Sequence, residues 1–279
     1  MKIVTTTSVF PFDYPAEDAL IRLSRVGFKH LDLAMDYCAD NPNCPFSSDS
    51  WESWAASLRE LEEKNGVCYT HSHAWGDASS RHYKTFRCFD VCRVLGAKYS
   101  VVHPIYKHAD GSFIYDDEEF VKVNAEAHKP LLEYAEKNGV ILLSENLLWG
   151  SSIKATAISA LVEEVDSPYF GWCYDTGHAN AHDISCRELL KCNVAPISLH
   201  IQDNNGHYRD DHLLPGDGSI DWKEFLEVLH KIDYKGEFVL EAHHQSLEAP
   251  DEKREEILCE LNSRAMKMRD YLLNLKNSI

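Results

Sequence analysis

Short β-type runs alternate with longer amphipathic segments along the whole chain, and this alternation constrains the fold more than any other feature. Strands are predicted near 2–7 (KIVTTT), 30–34 (HLDLA), 67–72 (VCYTHS), 98–103 (KYSVVH), 140–145 (VILLSE), 169–174 (YFGWCY), 195–201 (APISLHI) and 237–241 (EFVLE). Helical patterns lie between them, such as WESWAASLRELEEKNG at 51–66 and FVKVNAEAHKPLLEYAEKNG at 120–139. Both end in Lys-Asn-Gly, a helix stop before the next strand. A last helix is predicted over 251–275. Eight strand–helix units in 279 residues is the rhythm of an α/β fold, a single (β/α)8 or TIM barrel over 1–279. A doubly wound open sheet is the rival, but no G-x-G-x-x-G follows any strand.

The polar residues at the strand ends point to chemistry. The third strand ends at His71 and His73, the fourth at His103, the fifth at Glu145 with Asn146, and the sixth at Asp175. The seventh ends at His200 with Gln202 and Asp203 behind it, the eighth at Glu241 with His243 and His244 behind it. In a barrel all of these lie on the C-terminal face. A carboxylate at the end of an apolar strand is costly unless a cation or hydrogen-bond donors satisfy it. Singly, each has an ordinary explanation: a rim histidine, loop amides bound by Glu145, a helix cap at Asp175 or Thr176. Six consecutive strands ending this way favour a metal site, with capping left to Thr176 and no partner evident for His182. A mixed set of imidazoles and carboxylates suits Zn, Mn, Fe or Co rather than Ca, which prefers oxygen alone.

The loop QDNNGHYRDDHLLPGDGSIDW at 202–222 adds Asp210 and His212. Alternate residues of an extended segment face the same way, so this pair could share a cation with His178. A solvated acidic loop is its ordinary reading. Asp221 is expected to cap a helix beginning at Trp222.

Charge and cysteine usage restrict the partners. A formal net charge of −17 opposes a general grip on nucleic acid, which needs Lys and Arg on phosphates. The nine cysteines are scattered without a C-x-x-C pair, and Cys88 and Cys92 fit one helix face. They read as reduced thiols of a cytoplasmic protein. No apolar run approaches the ~20 residues of a membrane span, and MKIVTTTSVF reads as a first strand rather than a signal peptide.

GFKHLDL at 27–33, HAW at 73–75, VVHP at 101–104, SEN at 144–146 and DTGH at 175–178 occur in this order. HIQDN at 200–204, DDHLLPGDGSIDW at 210–222 and FVLE at 238–241 follow. Together they resemble the xylose isomerase-like TIM barrels. That superfamily includes sugar and sugar-phosphate isomerases and epimerases and, more remotely, endonuclease IV-type apurinic endonucleases. The epimerase branch implies one divalent metal held by Glu145, Asp175, His200 and Glu241. The endonuclease branch implies up to three, with further ligands at His73, His103, His178, Asp210 and His212. One departure stands out: the Arg with which ketose 3-epimerases grip substrate is Gly206 here, and Arg209 is three residues away.

The resemblance implies isomerisation or epimerisation of a sugar or polyol-ketone. Glu145 and Glu241 would be the catalytic residues that remove and return a proton beside a metal-polarised carbonyl. His178 would contact a substrate oxygen or a second metal, and Asp203 would support a ligand imidazole. Trp75, Tyr106 and Trp149 would pack on the apolar face of a sugar, or simply pack their loops. The alternatives are a multi-metal phosphodiesterase of the apurinic endonuclease type and an inosose-type dehydratase. Phosphate-binding candidates, Arg81, Lys84 and Lys154, are scattered. The expected partner is a small carbohydrate, and a homo-oligomer is compatible with the sequence.

Overall fold

Strand residues alternate between the barrel axis and the surrounding helices, and that parity decides which side chains reach the site. The computed structural model describes residues 1–277. Its strands are β1 (Ile3–Thr6), β2 (His30–Ala34), β3 (Cys68–Asp77), β4 (Tyr99–His103), β5 (Ile141–Glu145), β6 (Phe170–Asp175), β7 (Ser198–Ile201) and β8 (Glu237–Leu240). Each pairs in parallel with the next, and β8 closes on β1. The helices are α1 (Ala16–Val26), α2 (Met35–Asp40), α3 (Trp51–Asn65), α4 (Tyr83–Leu95), α5 (Asp117–Lys137), α6 (Ala155–Val165), α7 (Thr176–Ala181), α8 (Trp222–Lys231), α9 (His244–Glu248) and α10 (Asp251–Asn277). The predicted (β/α)8 barrel is the observed fold.

One apolar cluster joins outward strand residues such as Val102, Leu142, Trp172 and Phe238 to helix residues such as Leu58, Phe89 and Leu161. A separate small cluster of Val101, Leu143 and Cys173 occupies the inward positions of β4, β5 and β6. Two residues further along each of these strands, the same inward parity presents His103, Glu145 and Asp175. Register then aligns Glu145 with Cys173 and Asp175 with His200. The apolar plug therefore supports a polar layer at the C-terminal end of the strands.

Helix ends follow local chemistry. After α3, Gly66 takes a left-handed φ of 63 that its lack of a Cβ permits. Asp221 caps α8 as expected, accepting from the Glu224 amide at 2.9 Å. Helix α5 begins at Asp117, earlier than the predicted 120, because Asp116 caps it and Asp117, Glu118 and Glu119 suit the positive N-terminal end.

Strand β3 also departs from expectation: it runs to Asp77, with register shifts against both neighbours. His71 and His73 thus lie within the strand rather than at its end. All nine cysteines are free thiols, with Cys88 and Cys92 buried on α4. No helix among the described residues is long and apolar enough to cross a membrane.

Candidate metal centre

Three groups of ligand-type side chains meet at the barrel mouth: Glu145, Asp175, His200 and Glu241; His73, His103 and Glu145; and His178, Asp210 and His212. Within each group, one ligand atom per residue lies within 4.8 Å of all the others. Every one of the nine residues singled out in the sequence is in this constellation. Glu145 belongs to two groups. Its Oε1 is 2.9 Å from His200 Nδ1, while its Oε2 lies 3.5 Å from His103 Nε2 and 3.7 Å from His73 Nε2. His200 Nδ1 is also 3.3 Å from Glu241 Oε1.

The third group is oriented by backbone. His178 Nδ1 donates to the Asn146 carbonyl and His212 Nδ1 to the Glu241 carbonyl, each at 2.8 Å. In the neutral imidazoles this leaves both Nε2 lone pairs toward Asp210, at 3.4 Å and 3.2 Å. His212 accepts a left-handed φ of 48 to do so, a conformation costing a non-glycine residue about 1 kcal/mol.

The acid–base states reflect crowding. Burial opposes a charge on His200, but Glu145 and Glu241 help lift its pKa well above the ordinary value. Burial likewise works against His73, His178 and His212. The Glu145 carboxylate, 3.7 Å from His73, raises that imidazole to about 9, Asp175 and Asp210 raise His178 to about 10, and Asp210 raises His212 to about 9. Burial also works against ionised Glu145 and Asp210, and the surrounding imidazoles outweigh it and lower both. For Asp175 burial prevails, with Glu145, Asp210 and Glu241 adding to it against His178, and its pKa rises to about 7.

The donor set fits a divalent cation. Glu145 Oε2 and Asp175 Oδ2 are buried and have no hydrogen-bond partner, an arrangement that is unfavourable unless something positive meets them. The mixed oxygen and imidazole-nitrogen donors match borderline transition metals and zinc.

Asp175 also does what was expected of Thr176. Its Oδ1 accepts from the His178 amide at 2.7 Å, capping α7, while the Thr176 hydroxyl lies within bonding distance of the His200 and Gln202 carbonyls. One carboxylate oxygen caps and the other is left for the site. Asp203 supports no imidazole. It accepts from Gly216 and Ile220 amides and from Trp222 Nε1, pinning the loop that delivers Asp210 and His212. Gln202 Nε2 ties Asp210 Oδ1 (2.6 Å) to Asp175 Oδ1 (3.3 Å). His71 sits lower in the barrel beside Ser198 and Thr70, and burial holds its pKa well below the usual value.

Seven of the nine, all but Asp175 and His200, line a cavity of about 210 Å³ that also includes Asp36, Tyr37 and His243. Among the described residues no Lys or Arg lines it. Arg81 donates to the Ala78 and Ala127 carbonyls, Lys84 pairs with Asp40, Lys154 with Asp117, and Arg209 with Asp211. Trp75, Tyr106 and Trp149 do not line it either. Trp75 donates to Asp40, and Tyr106 stacks on Trp149 at 5.0 Å. Asp32 and Asp36 were missed in the sequence. Each has a buried oxygen without a partner, and burial raises Asp32 to about 7. The available signal was a carboxylate inside the apolar strand HLDLA.

A closed eight-stranded parallel barrel that gathers its carboxylates and imidazoles at the C-terminal mouth defines the class. Residues 20–260 match the xylose isomerase-like TIM barrel family, and the chain belongs to it. It is 31% identical over 153 residues to the uncharacterized protein MJ1311 of Methanocaldococcus jannaschii, a match covering 53% of this chain. The match spans about half of that relative's length, 51%. Among solved structures, the IOLI protein with a bound zinc atom superposes with a TM-score of 0.76 at 18% identity, covering 98% of both chains. A D-tagatose 3-epimerase-like protein gives 0.71 at 22% identity, covering 96% of this chain and 99% of that one. At these identities the structural likeness is one of fold.

Proposed function

We propose that the protein is a divalent-metal-dependent isomerase or epimerase of a small, uncharged polyhydroxy carbonyl compound. The carrying observation is the Glu145–Asp175–His200–Glu241 group, whose Glu145 and Glu241 line a cavity with no Lys or Arg among the described residues. A cation held there would polarise a substrate carbonyl and acidify the adjacent C–H. Glu145 and Glu241 come from opposite ends of the β5–β8 half-barrel. One carboxylate oxygen removes the proton, and the other residue returns it to the same or the neighbouring carbon. His178 and His212, fixed by backbone carbonyls, orient substrate hydroxyls. The similarity to sugar-epimerase folds supports this reading. With no Lys or Arg in the lining among the described residues, a phosphate would meet neither guanidinium nor ammonium, which favours a substrate without one, and the lack of an Arg at Gly206 argues against a ketose 3-epimerase in particular.

A second reading, multi-metal phosphodiester hydrolysis, draws support from the other two ligand groups. The net charge of −17 opposes binding to a duplex. A screen of sugars, inososes and their phosphates with Zn, Mn, Fe and Co, alongside an abasic-site oligonucleotide, separates the two. Turnover of a neutral ketose supports the first reading, and metal-dependent strand cleavage supports the second.

A further inference from the structure

The cavity at the barrel mouth has one wall that the isomerase reading leaves unused. Strand order places β1 and β2 across the barrel from β5 and β6. The C-terminal ends of β1 and β2, with the residues just after them, bring Thr6, Ser8, Ala34, Asp36 and Tyr37 to the lining. Four carboxylates line the same cavity: Asp36, Glu145, Asp210 and Glu241. The last three belong to groups that could hold a cation; among the described residues Asp36 belongs to none.

Asp36 is placed to bind something else. It stands in the first turn of α2 and is half-buried. No side chain among the described residues bonds or ion-pairs with either of its oxygens, and of the two only Oδ1 is buried. Oδ2 is therefore the oxygen left to the cavity. Glu241 and His73 are close enough for their charges to act on Asp36, so the carboxylate lies beside the reacting groups without being one of them. The neighbouring hydroxyls are turned to each other, Ser8 Oγ donating to Thr6 Oγ1 at 3.1 Å. An ionised carboxylate only accepts, and with no cation paired to it the partners that suit it are O–H donors.

We infer that Asp36 is a specificity-determining residue, whose Oδ2 accepts from a hydroxyl on the non-reacting carbons of the substrate while the carbonyl end lies at Glu145 and Glu241. The substrate is then a polyhydroxy ketone with hydroxyl-bearing carbons beyond the reacting pair. The reaction at the carbonyl end rests on the isomerase reading; the hydroxyl site rests on the placement of Asp36 alone.

The test compares a longer ketose with dihydroxyacetone, which keeps the carbonyl and its adjacent hydroxyls but has no further carbons. Deuterium uptake by the metal-loaded protein is measured with dihydroxyacetone and with whichever ketohexose or inosose exchanges best. Asp36→Asn, nearly isosteric, should raise the KM for the longer ketose by about tenfold and for dihydroxyacetone by about threefold or less, the effect falling on KM rather than kcat. Elemental analysis of the variant should find the parent's metal content; a loss of metal would make Asp36 a ligand and overturn the inference. Equal changes in KM for the two probes, or no change in either, overturn it too, as does a parent protein that exchanges dihydroxyacetone as well as any longer ketose. If no probe exchanges in the parent, the isomerase reading fails, and calorimetric titration of the metal-loaded protein with xylitol decides the hydroxyl site. Xylitol binding weakened about tenfold by Asp36→Asn supports the site; equal binding in the two proteins, or none in the parent, overturns it.

Discussion

Glu145 is shared by two ligand groups, so its loss should reach further than that of any other residue. Glu145→Gln is expected to weaken the cation at Glu145–Asp175–His200–Glu241 more than Glu241→Gln does, because Glu145 is the more deeply buried of the two and also faces His73 and His103. Metal retained after desalting, measured by elemental analysis, checks this; equal losses in the two variants would contradict it. Proton competition gives a second expectation. Burial opposes a charge on His200, the imidazole of the Glu145–Asp175–His200–Glu241 group, yet its carboxylate neighbours help hold its pKa well above the ordinary value in the cation-free protein. Its charged form is therefore stabilised at neutral pH, and a cation must displace that proton. Affinity should therefore rise from pH 6 to pH 9, with proton release on binding; an affinity flat across that range would count against His200 as a ligand. At this scale, strand-end position and inward parity made the nine ligand-type residues legible. Asp36 and Tyr37 were not, because a helix too short to show periodicity carries them. The placements of Trp75, Tyr106 and Trp149 depend on loop paths that no local pattern encodes.

At the scale of elements, α7 approaches β7 through Gly177. A Cβ there would fall 2.1 Å from the Gln202 side chain, which must move and release Asp210. Gly177→Ala should leave the fold intact, since a side-chain end can shift. It should raise the KM for the substrate by about tenfold, because Asp210 no longer holds the His178 and His212 rings that orient substrate hydroxyls. An unchanged KM in that variant would contradict the tie. Helix α5 offers a test outside the site. His128 is buried against Phe170, and burial lowers its pKa from 6.5 to about 4. It is neutral when folded, so its contribution is intact above about 6.5 and is lost as the pH falls toward 4, roughly 3 kcal/mol in all. His128→Leu should lose about 2 kcal/mol less than the parent between pH 7 and pH 5 in urea unfolding. Parallel pH slopes would show that His128 is not responsible. The elements themselves were readable from period and helix stops. The extension of β3 and the late start of β7 were not, because register against neighbouring strands sets both.

On the scale of the whole molecule, barrel closure brings together residues 73 to 241, which no local stretch could assemble. The sequence alternation made that closure legible. A cation that binds only the folded barrel must stabilise it, by about 2.7 kcal/mol at a hundredfold excess over its Kd. Melting after chelation and re-addition of Zn, Mn or Co should therefore show a rise of a few degrees. Protein purified without chelator should carry about one metal per chain if it is an isomerase, and nearer three if it is a hydrolase. The central claim is carbon-acid chemistry by two carboxylates, and deuterium uptake from D2O tests it most directly. Metal-loaded protein incubated with a panel of ketoses and inososes should place deuterium on the carbon beside the carbonyl of its substrate. Uptake should fall by about 10²- to 10⁴-fold in Glu145→Gln and in Glu241→Gln. No uptake by the parent protein with any member of the panel, or uptake that survives both substitutions, would contradict the account.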